Sequence, residues 1–153
     1  MKVKNVCIPK ELRLIPLGDR YFRIAEQVCI SVETDAGVFR YTVGKGFVTN
    51  FRSGAPIVDH FIDAIGDRLH QVCWLVHDCN YTPCINKCGV HAVDRKTADE
   101  LLFAMLLFAG ESKFKARVVW CAVRMFGKSA YEDDDAFTFD NYQKLVANYW
   151  RKV

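Results

Sequence analysis

The stretch Asp67-Arg-Leu-His-Gln-Val-Cys-Trp-Leu-Val-His-Asp-Cys-Asn-Tyr81 decides how the rest of the chain is read. Its pattern predicts a helix of about four turns. At about 100° per residue, His70, Cys73, His77 and Tyr81 share one stripe, with Asp67, Trp74 and Asp78 along its edge. Leu69, Val72 and Val76 point elsewhere, toward a core. A helix that sets two histidines, two aspartates, a cysteine and a tyrosine beside its buried face is a candidate for chemistry.

Upstream of this helix the period changes. Phe22, Ile24, Val28, Ile30 and Val32 alternate with polar residues over what reads as one long strand. Asp35-Ala-Gly37 is a turn, and Phe39, Tyr41 and Val43 form the return strand, giving a two- or three-stranded antiparallel sheet with one wet face. Residues 1–19, broken by Pro9 and Pro16, read as an irregular lead-in or an edge strand. Gly44-Lys-Gly46 ends the sheet, and residues 46–56 are a shaped loop leading into a helix pair, 57–65 and 67–81.

Downstream, a strongly apolar helix is expected from Asp94 to Ala109 and closed by Gly110. Ser112 is the N-cap of the next, which runs to Phe126 with Gly127 just past its end. Glu132-Asp-Asp-Asp135 reads as a solvated acidic connector. A last amphipathic helix near 139–151 has a broad aromatic side, suited to packing on the domain or, as the lesser alternative, to docking on a partner. The expected fold is α+β: a small N-terminal antiparallel β-sheet followed by a bundle of about four or five helices. It forms a single domain over 1–153, mainly β in 1–45 and mainly α in 57–151.

With 153 residues and 51% hydrophobic content, one globular domain has enough material for a core. The net charge of +3 is mild and its cations are scattered, which argues against a nucleic-acid partner. No run approaches the roughly 18 apolar residues of a membrane span, and the N-terminus has no apolar signal region. Any export would then be indirect, for example as part of an assembled particle released by lysis. Seven cysteines is an odd count, so one thiol is left free or open to an intermolecular disulfide.

Three candidate sites emerge. In the first, His77 is a general base or metal ligand, Asp78 binds a cation or steers a substrate, and Asp94 or Asp99 on the following helix fixes the imidazole tautomer. Tyr81 adds a structural hydrogen bond. The competing reading is a buried histidine satisfied by a carboxylate, and Asp94 has its own ordinary role as a helix N-cap. In the second, His70, Cys73 and His77 are metal ligands; two turns hold the histidines roughly 10 Å apart, leaving Cys73 with His77 as the feasible pair. The third is the loop Cys79, Cys84, Cys88 and His91, four soft donors that suit zinc. A disulfide such as Cys84–Cys88 or Cys79–Cys88, or ordinary thiols, are the alternatives there.

Four motifs occur in one order: Gly46-Phe-Val-Thr-Asn-Phe-Arg-Ser, Val76-His-Asp-Cys-Asn-Tyr81, Arg95-Lys-Thr-Ala-Asp99 and Ala122-Val-Arg-Met-Phe-Gly127. Together they resemble an uncharacterised domain family common in tailed-phage genomes, domain of unknown function thirteen-fifty-three. The chain has Asn50 where that family's loop usually has Asp, which removes a charge but keeps a ligand oxygen. The resemblance implies a bacteriophage protein, made in the host cytoplasm and then carried in the virion with other phage structural proteins as partners.

A second resemblance is local. Cys73-Trp-Leu-Val-His-Asp-Cys-Asn-Tyr81 is similar to the active-site helix of secreted phospholipases A2. The resemblance implies that His77 activates water, that Asp78 binds calcium, and that Asp94, or Asp99 in its place, orients the histidine. The chain contains no glycine-rich calcium loop, so a calcium at Asp78 would lack most of its six to eight oxygen ligands. Two functions are therefore expected. The leading one is a virion component of tail, baseplate or connector type, with its His-Asp site retained or vestigial. The alternative is a hydrolase of phospholipase-like or envelope-degrading type, with or without zinc or calcium bound at Asp78, Cys79, Cys84, Cys88 or His91.

Overall fold

The computed structural model describes residues 1–8, 11–18, 21–50, 67–82 and 93–132. It begins with six strands, β1 (Val3–Cys7), β2 (Leu14–Gly18), β3 (Tyr21–Ile24), β4 (Val28–Thr34), β5 (Gly37–Val43) and β6 (Val48–Thr49). Four helices follow among the described residues: α1 (Arg68–Asn80), α2 (Arg95–Phe108), α3 (Lys113–Phe126) and the short α4 (Lys128–Glu132). The architecture is α+β, antiparallel sheet first and helices after.

The strands form two antiparallel sheets, ordered β1-β4-β5 and β2-β3-β6. The single long strand expected over residues 22–32 is therefore two strands in different sheets. The chain bends at Ala25 and Glu26, between them. Ile24 is the hinge point: its amide donates to the Phe47 carbonyl at 2.8 Å and its carbonyl accepts from Gly46 at 2.9 Å, locking β3 to the approach of β6. Alternating polarity does not encode this break, because both halves keep their apolar residues on the buried side. Residues 3–7 and 14–18 are ordered edge strands rather than an irregular lead-in. Pro16 sits on the edge strand β2, opposite Phe22, where its missing N–H leaves no ladder bond unmade within the sheet interior.

In the first sheet the period-two pattern does its expected work. Val28, Ile30, Val32 and Thr34 of β4 and Tyr41 and Val43 of β5 are buried, while Cys29, Arg40 and Thr42 face out. The buried face joins one hydrophobic core with Val72, Trp74 and Leu75 of α1, Leu101, Met105 and Leu106 of α2, and Val119 and Val123 of α3. α1 runs through the centre of this core: every residue from Val72 to Asn80 is buried. The stripe seen in the sequence is thus polar but not exposed, and each of its polar atoms has to be answered inside the protein.

Local signals set the helix ends. Asp67 caps α1, its Oδ1 accepting from the amides of Leu69 at 2.8 Å and His70 at 3.0 Å. Asp94 caps α2 through the Thr97 amide at 3.0 Å, and Ser112 caps α3 through the Lys115 amide at 3.2 Å. α2 stops in a Schellman arrangement, with Glu111 N donating to Leu106 O at 3.0 Å and Gly110 N to Leu107 O at 3.2 Å. Gly110 takes φ +95° there, a left-handed conformation that a residue with a Cβ adopts at a cost. The helices expected at 57–65 and 139–151, the residues Asp133–Asp135 of the acidic run, and the loop with Cys84, Cys88 and His91 lie outside the described residues.

Leu101 is fully buried between the helices and the sheet, whereas Phe114 on α3 is 70% exposed. Leu101→Ala is expected to destabilise the fold by about 2–5 kcal/mol in urea denaturation, and Phe114→Ala by under about 0.5 kcal/mol.

Candidate functional site: a buried carboxylate shared by three helices

Asp99 lies one turn inside α2, on the side that faces α1, and its side chain has no exposed area. Three side chains converge on it. His77 Nε2 lies 3.1 Å from Oδ1, and Tyr81 Oη donates to the same oxygen at 2.6 Å. Arg124 Nη1 donates to Oδ2 at 2.9 Å. His77 and Tyr81 are one helical turn apart on α1, so helical geometry delivers both to one carboxylate oxygen. Their rings lie 4.2 Å apart, and Trp74 meets His77 edge-on at 6.1 Å.

Burial works against a charge on Asp99, but the hydrogen bonds from His77, Tyr81 and Arg124 outweigh it and hold the carboxyl below its ordinary value of 3.8. Asp99 is thus a carboxylate at neutral pH, with Arg124 as its counter-ion. The same site pushes the Tyr81 phenol up, through burial first and then its bond to Asp99, so Tyr81 stays a proton donor.

An anionic Asp99 can only accept, so Nε2 of His77 donates to it, and in the singly protonated ring the lone pair is at Nδ1. That Nδ1 is buried and has no hydrogen-bond partner among the described residues. The arrangement is an imidazole oriented and polarised by a carboxylate on one nitrogen and open on the other.

Asp78 is also buried, and it faces a different neighbour. Thr49 Oγ1 of β6 donates to its Oδ2, and the Asp78 carbonyl accepts from Thr82 Oγ1 at 2.8 Å. Asn80 Nδ2 donates to Tyr41 Oη of β5 at 3.1 Å, a second tie from α1 to the sheets. Asp94, offered by the sequence as an orienter of the histidine, instead accepts from Thr97 at the exposed start of α2, its Oδ2 taking Thr97 Oγ1 at 2.6 Å. Asp99, the second choice, is the residue that meets His77. His70 sits apart from the dyad, with Nδ1 3.0 Å from Asp67 Oδ1 and Nε2 3.2 Å from Glu111 Oε1. The second contact has an ion-pair distance but not hydrogen-bond alignment.

For metal binding, no cluster of three His, Cys, Asp or Glu donors occurs among the described residues. Burial pushes the Cys73 thiol up to about 12, and burial followed by the nearby Asp78 charge pushes Cys79 well above its ordinary value. Both thiols sit in the hydrophobic core, where the thiolate a metal needs is disfavoured. Asp78 and Cys79 are the described members of the expected ligand set; its other members, Cys84, Cys88 and His91, lie outside the described residues.

Arg124, Thr49 and Gly127 belong to the site although composition and periodicity gave them no role. All three lie within the ordered motifs, which was the only signal for Arg124 and Thr49, while Gly127 was read only as the end of a helix. Gly127 is there for space. A Cβ on it would stand 2.8 Å from Tyr81 Oη and 2.5 Å from the Val123 carbonyl oxygen. Arg95 completes the corner, with Nη1 donating to the Val123 and Arg124 carbonyls at 3.3 and 3.2 Å. It ties the start of α2 to the last turn of α3.

Fold and site together define the class: an α+β domain whose central helix presents a buried His-Asp dyad braced by a tyrosine and an arginine. The chain belongs to DUF1353, a family described as a protein of unknown function, whose model matches residues 22–123. That span holds Thr49, His77, Asp78, Tyr81 and Asp99, and Arg124 stands one residue beyond it. No curated protein and no solved structure matches the chain.

Two outcomes follow from the geometry. The lowered Asp99 contributes stability that is present above the ordinary carboxyl value and is lost as pH falls through its folded value. Asp99→Asn is therefore expected to cost about 3 kcal/mol or more at pH 7, with the gap to the native chain narrowing in urea titrations below pH 3.8. Gly127→Ala is expected to cost about 1–3 kcal/mol by displacing Tyr81. In a double-mutant cycle with Tyr81→Phe, which removes the crowded hydroxyl, the two costs should add to less than their sum.

Proposed function

We propose that this chain is a hydrolase of the His-Asp type, cleaving an ester or amide bond with His77 as general base. The observation that carries the reading is the buried Nδ1 of His77, without a hydrogen-bond partner among the described residues, opposite an Nε2 held by an ionised Asp99. An orphaned buried nitrogen costs stability. A histidine kept only as a clasp gains nothing from it. A base needs that lone pair free.

The reaction requires water and substrate to reach a side chain that is buried in the resting fold; a water at Nδ1 then gives its proton to the ring as its oxygen bonds to the substrate carbonyl carbon. The imidazolium formed is stabilised by Asp99, whose charge is already compensated by Arg124 in the resting state. The proton then passes from Nδ1 to the departing alcohol or amine as the tetrahedral intermediate collapses. Asp99, Tyr81 and Arg124 are positioning residues, because they act on the substrate through His77. Asp78, next to the base in sequence and tied to Thr49, would take the role of steering the substrate or a cation.

The test is a panel of phospholipid, simple ester and cell-wall substrates. His77→Gln is expected to lower kcat by about 10²–10⁴-fold with KM little changed. Asp99→Asn should give a loss of similar order, and Tyr81→Phe a smaller one. Turnover that survives His77→Gln, or no turnover on any substrate by a chain that melts cooperatively, would mark the network as a structural clasp.

We also propose that the chain is carried in a tailed-phage virion, at the tail, baseplate or connector. The four ordered motifs shared with a family common in phage genomes support this reading. Mass spectrometry of purified particles should find the chain in fixed stoichiometry, and its absence from particles would refute it.

A further inference from the structure

We propose that the outward face of α3 is a docking surface for an anionic phospholipid membrane. The proposal does not depend on the hydrolase reading, because it concerns a different face and is read by binding alone.

α3 buries Ala116, Val119, Ala122 and Val123 against the core. Its opposite side carries large apolar side chains that the core does not use. Phe114 is 70% exposed and Met125 71%, eleven residues apart and therefore nearly in line along the helix, and Phe126 is 57% exposed at its end. From Lys113 to Tyr131 the chain has five cations, Lys113, Lys115, Arg117, Arg124 and Lys128, and no acid. Three of them have carboxylate neighbours: Lys115 with Glu111, Arg124 with Asp99 and Lys128 with Glu132. Lys113 and Arg117 have none among the described residues. Arg117 lies over the Trp120 ring at 4.7 Å, which holds its guanidinium on the outward side. Lys113, Phe114 and Arg117 line one open depression of about 530 Å³.

Two unpaired cations flanking a projecting aromatic ring make a surface with a charge preference. The cations call for phosphate-like anions in number, and the ring calls for an apolar phase just beyond them. Anionic lipid headgroups over acyl chains supply both at that spacing, with Phe114 and Met125 entering the acyl boundary while Lys113 and Arg117 stay among the phosphates. No helix among the described residues is long and apolar enough to cross a membrane, so the contact is peripheral.

The experiment is co-sedimentation of the full chain with vesicles of phosphatidylcholine alone or mixed with phosphatidylglycerol, at low and high salt. Binding to the anionic vesicles, weakened by salt and absent on neutral ones, is expected. The double variant Phe114→Ser with Met125→Ser should bind about tenfold more weakly or worse. Lys113→Gln with Arg117→Gln should abolish the preference for anionic vesicles. All four side chains are solvent-facing, and unchanged thermal melts will confirm that the variants fold. No binding by the native chain, or equal binding by native chain and variants, would overturn the proposal. So would a concentration-dependent dimer that Phe114→Ser dissolves, since the face would then belong to a second copy.

Discussion

A carboxylate with no exposed surface has to find its compensation within the protein, and the Asp99 charge sets the terms for everything packed around it. Its three donors come from two different helices, α1 and α3, while Asp99 itself rides on α2. Removing any one donor would leave a buried lone pair or charge unanswered, which is expensive in a low-dielectric interior. The helices are thus held in register by polar chemistry, and the hydrophobic contacts among Leu101, Met105, Val119 and Val123 supply the bulk attraction without that specificity.

The sheets extend the same logic. The first sheet presents Val28, Ile30, Val32 and Val43 to the helices and buries α1 from its other side. The second brings Thr49 to Asp78, and Tyr41 of the first sheet meets Asn80. α1 is therefore a helix with polar atoms on several sides and water on almost none beyond its first turn. Such a helix is stable only where each neighbour offers a matching donor or acceptor. Among the described residues, His77 Nδ1 and the Trp74 indole nitrogen are buried atoms of its last three turns that lack a hydrogen-bond partner. The first of these is the atom on which the proposed chemistry turns.

Much of this arrangement was legible in the chain. Asp94, Ser112, Gly110 and Gly127 marked helix ends because capping is a local interaction between a side chain or turn and backbone a few residues away. The His77-Tyr81 pairing followed from helical spacing alone. The split of residues 22–32 into strands of two sheets was not legible, because alternation records which side is buried and says nothing of which strand lies alongside. The short β6 was missed as well, since two residues are too few to show a period.

The choice between Asp94 and Asp99 shows where the boundary falls. Both are carboxylates at or near the start of the helix after His77, and spacing alone does not say which one reaches it. Their local context does assign Asp94 to Thr97, by its place just before a helix. Only the packing of α1 against α2 and α3 decides that Asp99 meets His77, with Arg124 arriving from twenty-five residues further on. Residue type, periodicity and caps are short-range properties, so the sequence by itself determined the three long helices α1, α2 and α3 and the stripe that holds His77. The closing of a buried charge by groups distant in the chain is a long-range event, and it was decided only when the core packed and left that charge no other partners.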